Sequence, residues 1–429
     1  MIVGAFFVLL FLMLFSGIPI AFGMSLVGAL GFMVLTSVDA GLAMVGQVLY
    51  DTTLSYQLSI LPLFILMGNF ISHARMSDDL YAAANACLGH KKGGLAMATI
   101  AACGGFSAVC GSSLATVSTM SKVAIPQMRQ YGYSDGLASG AVAAGGTIGI
   151  LIPPSVVLIL YGIITENNIA ALFAAGLVPG ILGILLYIAA VRFIVYMKPE
   201  AGPQGRWFSW RERLEALSKV WTLLLLFVIV LGGIYGGIFT STEAAGIGAF
   251  GAFVIALLRR ALTFKVLAST LLDSARTTAL LLMVLVGAIL FGNFVNIAQF
   301  PQALSGFVTA LNLNALEVII VITLIYLVLG CLLESMSMLL LTVPIFYPVA
   351  ISAGIDPIWF GIYTVIVIEI GMITPPIGLN AFILKATVPD ISLSTIFRGL
   401  LPFIGADIVR LALLIAFPSL ALFLVRLFY

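Results

Sequence analysis

Charge is what this sequence has least of: of 429 residues only 8% are Asp, Glu, Lys or Arg, whereas 62% are hydrophobic. Soluble chains average about 25% charged residues, so nineteen bases and seventeen acids cannot clothe a soluble surface of this size. The chain must live in lipid. A net charge of +2 leaves no clustered basic face, which excludes nucleic-acid binding. The cysteines are only four (Cys87, Cys103, Cys110, Cys331) and show no CxxC spacing, so they read as packing residues and indicate neither a disulfide framework nor a zinc site. His73 and His90 are the only histidines and no HExxH occurs, which leaves intramembrane zinc proteolysis without support. Neither half carries a Walker A motif, so ATP is not the direct energy source. The amino end lacks a basic n-region, the first base being Arg75, and residues 1–15 are expected to form a mature helix rather than a cleaved signal.

What the sequence has in abundance is apolar length. A span takes about 20 residues, and with short loops the chain has room for roughly ten to fourteen membrane segments. Apolar runs fall at 1–16, 20–37, 57–74, 93–128, 135–163 and 168–197, and again at 220–234, 241–258, 276–297, 315–350, 357–385 and 393–429. Between the two sets, residues 198–219 hold five bases, three acids and two Trp, the composition of an interfacial amphipathic helix joining two halves. The halves also share words. GILIPP at Gly149 and GMITPP at Gly371 lie 222 apart, as do Thr165 and Thr387; GLVP at Gly176 and GLLP at Gly399 lie 223 apart, and GNF at Gly68 and Gly292 lie 224 apart. Common order and near-constant offset indicate a duplication, residues 1–197 and 220–429.

Basic residues orient each half, because cytoplasmic loops are enriched in Lys and Arg. With the 198–219 linker inside, Lys91, Lys92 and Arg129 also fall inside, so 93–128 enters and leaves from the cytoplasm as a re-entrant hairpin. Arg259, Arg260, Lys265, Lys385 and Arg398 fall inside as well, whereas Asn296 to Asp356 contains no Lys or Arg, so 315–350 is expected to enter from outside. Five crossings and one hairpin per half invert the second half relative to the first and put both termini outside. The expected fold is therefore an all-α polytopic membrane protein of two inverted-topology repeats, each with a re-entrant helical hairpin and a Pro-Pro-broken helix (135–163 and 357–385). Such architecture marks secondary transporters.

Non-helical backbone at membrane depth lines a cavity or is buried in protein. Four places qualify: the breaks at Pro153-Pro154 and Pro375-Pro376, and the hairpin tips Ser107 to Ser113 and Glu334 to Ser337. Consecutive prolines free carbonyls, which are hard oxygen ligands suited to Na⁺. Past each tip a helix begins, and its N-terminus with its Ser hydroxyls favours a carboxylate. Intramembrane acids default to functional hypotheses. Glu334 either faces a wet cavity or bonds backbone donors; Glu369 either packs a helix or orients a neighbouring ligand. Asp407 and Arg410, three apart, read as a mutually neutralising structural pair. Glu243 reads as the distal member of a capping box with Thr240.

GIFTSTEAAGIGA (Gly237 to Ala249), SAVCGSSLAT (Ser107 to Thr116) and ITPPIGLNAF (Ile373 to Phe382) resemble the large membrane subunit of the tripartite ATP-independent periplasmic (TRAP) transporters, over essentially the whole chain. Two departures are Ser241 in place of the usual Pro and Glu334 where Asp is commoner. The resemblance implies a bacterial or archaeal cytoplasmic-membrane importer of the ion-transporter superfamily, not an enzyme, working as an elevator driven by two or more Na⁺. It further implies two partners, a periplasmic substrate-binding protein that delivers a carboxylate solute and a small four-helix membrane subunit. Carried over by position, Gly111, Ser112, Ser113, Thr147 and Gly149 would border one sodium site, and Glu334, Ser335, Gly371 and Thr374 the second. Ser112, Pro154, Ser155 and Pro376 would border substrate, and Asn380 would hold the second break open or touch substrate. A single-component Na⁺/dicarboxylate symporter of the related superfamily is the alternative, although its Ser-Asn-Thr tips are absent. An intramembrane enzyme is more remote, as no nucleophile and base pair is apparent.

Overall fold

The computed structural model describes residues 2–74 and 76–429, the side chain of Val109 excepted; Met1 and Arg75, which entered the reading of the amino end, lie outside the described residues. Twenty α-helices and no strand are found among the described residues. The first half runs α1 (Ile2–Phe15), α2 (Ile20–Leu35), α3 (Val38–Leu54), α4 (Ile60–His73), α5 (Met76–Leu88), α6 (Gly94–Cys110), α7 (Ser113–Gln130), α8 (Asp135–Ile148), α9 (Val156–Thr165) and α10 (Ile169–Met197). The second half runs α11 (Trp210–Tyr235), α12 (Ser241–Leu258), α13 (Phe264–Ile297), α14 (Phe300–Ala310), α15 (Ala315–Gly330), α16 (Ser335–Ser352), α17 (Pro357–Ile373), α18 (Leu379–Thr387), α19 (Leu393–Ala416) and α20 (Ser419–Phe428). Six helices are long and apolar enough to cross a bilayer unaided. The hairpin helices α6 and α15 and the pieces of the broken helices are shorter, as helices that stop inside the membrane must be.

Starts are fixed locally. Ser209 with Glu212, Thr240 with Glu243, and Asn314 with Glu317 form reciprocal capping boxes that open α11, α12 and α15. Ser134, Ser155, Asn168 and Asp356 each satisfy a first-turn amide of α8, α9, α10 and α17.

The halves interlock rather than sit side by side. α7 packs on α18 while α16 packs on α9, so the second helix of each hairpin lies against the post-break helix of the other half. Likewise α2 packs on α13 and α12 on α4. Reciprocal exchange of this kind is what two copies related by a two-fold produce.

Several boundaries differ from the sequence reading. α3 was not among the apolar runs, because Asp39, Gln47, Asp51 and two Thr break its hydropathy; it precedes α4 at a bend of 54°. The interfacial helix expected over 198–219 is not a separate element. Residues 198–209 hold only one short turn of helix, and Trp210 opens a 26-residue helix that runs straight into the apolar run at 220–234. The short segment is pinned to the start of the first hairpin and to the end of α5, Gly93 N–H donating to the Gly202 carbonyl at 2.8 Å and Gly205 N–H to that of Gly89 at 3.0 Å. α13 begins twelve residues before the run at 276, capped by Thr263, and the run 393–429 divides at Phe417-Pro418 into α19 and α20.

Candidate functional site

Each hairpin tip is a chain reversal whose second helix is opened by a side-chain cap. α6 ends at Gly111, whose φ of +65° is costly for any residue with a Cβ, and Ser112 then caps α7 by accepting from Ala115 N–H. In the second half Glu334 holds the position of Ser112 and caps α16, accepting from Ser337 N–H at 2.9 Å and Ser337 Oγ at 2.8 Å. Of the two alternatives open for Glu334, the structure thus supports bonding to a backbone donor, and the residue is only half-buried.

Each tip helix then meets the break of its own half at a glycine of the break. A Cβ on Gly149 would fall 2.0 Å from the Ser107 Cβ, and one on Gly371 would fall 2.7 Å from the Gly330 Cα. Ser107 and Gly330 hold corresponding places in the two repeats, a pairing that the offset of the motifs contained and that the sequence reading did not draw out. In the first half Ser107 Oγ donates to the Gly146 carbonyl at 3.3 Å. In the second half the Cys331 thiol lies 3.6 and 3.4 Å from the Thr374 and Pro375 carbonyls, which places Cys331 at the break as well as in the packing.

Both Pro-Pro bonds are cis, yet the two breaks are not in equivalent surroundings. Pro153, Pro154 and Ser155 are buried, and Ser155 Oγ donates to the Ile150 carbonyl while accepting from Leu158 N–H at 3.2 Å. Pro375 and Pro376 are exposed, and their neighbour Thr374 donates its hydroxyl to Ile370 at 2.6 Å. The Thr374 and Pro375 carbonyls thus face a weak thiol donor and otherwise remain available. Exposure continues along α7 at Ala115, Lys122 and Pro126, toward a cavity of about 690 Å³ lined by Lys122, Arg129, Thr387 and Asp390 among others. At that end Arg129 pairs with Asp135 at 2.7 Å and Asp390 at 2.5 Å. Its hydrogen bond holds the Asp390 carboxyl below the usual carboxylate range. A depressed folded-state value means that this tie is fully made above the ordinary Asp range and lost only as pH falls through the lowered value.

One contact joins the first tip to the second break. Asn380 is fully buried; its Oδ1 accepts from Ser113 Oγ at 2.9 Å and its Nδ2 donates to the Ala143 carbonyl at 3.0 Å. Asn380 therefore acts as a strut between repeats in this conformation. Gly111, Ser112, Ser113, Gly149, Pro154 and Ser155 gather around the first tip and break, and Glu334, Ser335, Gly371, Thr374 and Pro376 around the second. Thr147 is turned away from its break: its hydroxyl donates to the Ala144 carbonyl at 2.9 Å and lies 3.5 Å from Tyr187 OH.

Thr147 is instead the end of a buried polar chain. Tyr187 bonds Asp407 at 2.5 Å, and Arg410 Nη2 reaches Asp407 at 2.9 Å and Glu369 at 2.6 Å. The expected Asp407 and Arg410 pair is present, but it is a triad with Glu369 of α17, and no sequence spacing announces a partner 41 residues away. Glu369 is thus a buried ion-pair partner. The chain connects α8, α10, α17 and α19 behind the breaks, and Gly183 leaves the room that Arg410 fills.

A family model described as tripartite ATP-independent periplasmic transporter, DctM component, matches residues 7–420. A C4-dicarboxylate TRAP transporter large permease protein of Pseudomonas aeruginosa is 39% identical over 376 residues, 87% of each chain. A sialic acid TRAP transporter large permease protein of Vibrio cholerae is 35% identical over 97% of this chain and 96% of its own. In three dimensions the YdaH transporter of Alcanivorax borkumensis superposes with a TM-score of 0.63 at 15% identity, covering 90% of this chain and 91% of that one, a likeness of fold.

Proposed function

The chain belongs to the tripartite ATP-independent periplasmic transporters as a large permease, DctM component, and from that premise we propose that it imports a carboxylate-bearing solute with two or more Na⁺. The observation that carries the reading is the second break. There the Thr374 and Pro375 carbonyls, freed by two prolines, lie beside an exposed opening and next to the tip capped by Glu334. Oxygen ligands of this kind suit a hard monovalent cation, and the N-terminus of α7 just past Ser112 suits the solute's carboxylate. The first tip and break, with Gly111, Ser112, Ser113 and Gly149, supply the related site. The opening points toward the end that carries Arg129 and Lys385, which the distribution of basic residues places in the cytoplasm, so this conformation faces inward.

Partners follow from the same premise: a periplasmic binding protein that delivers the solute, and a small membrane subunit. The bound pair of ions also sets the energetics. One net positive charge moved inward yields about 2.3 kcal/mol per 100 mV, so two Na⁺ with a monoanion accumulate solute without ATP.

Proteoliposomes holding the permease, small subunit and binding protein, with valinomycin setting the potential, test the proposal. Uptake of a carboxylate should require an inward Na⁺ gradient, and Thr374→Val should raise the Na⁺ concentration for half-maximal uptake several-fold with insertion intact. Transport driven by a proton gradient alone, or unchanged Na⁺ dependence in Thr374→Val, would refute sodium coupling at this break. Uptake of a sulfonate with no competition from carboxylates would refute the substrate class, and robust uptake by the permease alone would favour a single-component symporter.

A further inference from the structure

Away from the tips and breaks, a cavity of about 390 Å³ opens between the start of α8, the end of α10 and the start of α19, lined by Ser134, Gly136, Phe193, Lys198, Arg398 and Pro402 among others. Two of these residues are cations. Lys198 and Arg398 are both exposed, and among the described residues neither has a carboxylate within ion-pair distance or a side-chain hydrogen bond. Several cations near helix ends are tied down by contrast, Arg129, Arg206 and Arg259 by ion pairs and Lys385 by the Pro389 and Ile391 carbonyls. No acid lines the cavity.

The floor is bare backbone. α8 and α19 cross so closely that a Cβ on Gly399 would fall 2.0 Å from the Gly136 carbonyl oxygen, and both glycines line the cavity with no side chain of their own. The outer wall is apolar, with Phe193 60% and Met197 64% exposed. Lys198 directly follows α10, a largely apolar helix of 29 residues, and so sits where hydrocarbon gives way to headgroups. Arg398, one turn and a half into α19, is exposed and lines the same cavity, and an arginine stem is long enough to carry its charge to the headgroups from within the apolar layer.

Two unpaired cations, an apolar wall beside them and a depth at the headgroup boundary define one ligand chemistry. We propose that this cavity holds an anionic phospholipid, its phosphate between Lys198 and Arg398 and an acyl chain along Phe193 and Met197. Basic recesses between membrane helices serve anionic headgroups in this way. A free inorganic anion would satisfy the cations and leave the apolar wall without an occupant. Because α10 and α19 come from different repeats, the lipid would clamp the halves together at their shared surface.

The test uses the full-length permease purified in mild detergent, with thermal unfolding and native mass spectrometry as readouts. Phosphatidylglycerol should raise the unfolding midpoint and remain as a bound adduct, whereas phosphatidylcholine should do neither at the same mole ratio and inorganic phosphate should not raise the midpoint. Lys198→Gln combined with Arg398→Gln should weaken phosphatidylglycerol retention at least tenfold, and Phe193→Ala should weaken it with both cations in place. Should the double variant not fold, Lys198→Gln and Arg398→Gln are read singly, each with a partial loss. The proposal is overturned if phosphatidylcholine protects equally, if inorganic phosphate reproduces the effect, or if the cation variants retain phosphatidylglycerol as the wild type does.

Discussion

At the scale of single residues, the most consequential is Arg410. It is 1% exposed and faces two fully buried carboxylates, Glu369 and Asp407. Removing one partner from a buried ion cluster costs about 3–5 kcal/mol because the remaining charges lose their compensation. Arg410→Met should therefore lower the yield of folded protein sharply, as seen by size-exclusion chromatography of a fluorescent fusion. Replacing the whole cluster with groups of like shape is often near neutral, so Arg410→Met with Glu369→Gln and Asp407→Asn should recover most of that yield. Failure of the triple variant to recover would show that the triad holds more than its own charges. Nothing in the sequence could have assembled it. Asp407 and Arg410 are one turn apart and legible as neighbours, but Glu369 lies on another helix and Tyr187 in the other repeat.

Among elements, the hairpin-to-break contacts are seams with no room for a Cβ. Gly371→Ala would set a methyl against the Gly330 backbone at 2.7 Å, where neither helix has a flexible side chain to yield. Overpacking of this kind costs about 1–3 kcal/mol, so the variant should unfold at a lower temperature. It should also shift the Na⁺ dependence of uptake, since the displaced backbone is that of the break. Gly246→Ala, with no atom near its added methyl, is the control and should change neither. Unaltered uptake and stability in Gly371→Ala would mean the seam is looser than described. These elements were the readable part of the sequence, because Pro-Pro, Gly and Ser impose local backbone chemistry wherever they stand. The hairpins, both breaks and the Thr240 and Glu243 capping box are visible for that reason. α3 and the true start of α11 were not, since their polar residues mask helical continuity, and the tip-to-break strut of Ser113 and Asn380 was not, since it rests on packing between distant segments.

For the molecule as a whole, the inverted arrangement assigns opposite compartments to the outer ends of the two hairpins. Lys92 is exposed beside the start of the first hairpin, and Asn312 is exposed in the turn before the second. On a cysteine-free background Asn312→Cys should react with an impermeant thiol reagent from the periplasm, and Lys92→Cys only after permeabilisation. Labelling of both from one side would end the inverted arrangement. Lys92 pairs its backbone with Gln204, so the short segment between the halves should share its compartment, and a cysteine at Gln204 should label with it.

Exchange of helices between halves bears on how the chain is made. Ser113 waits for Asn380, 267 residues further on; at about 5–20 residues per second the ribosome needs roughly 15–50 s to deliver it. Throughout that interval α7 is in the membrane without α18, its Ser113 hydroxyl unclaimed, while α9 lacks α16. Insertion and assembly must then be separate events. The insertion machinery or neighbouring lipid has to shelter a polar, half-built first repeat until nearly the last helix has been synthesised, and a stall in the second repeat should leave a membrane-embedded but protease-sensitive product.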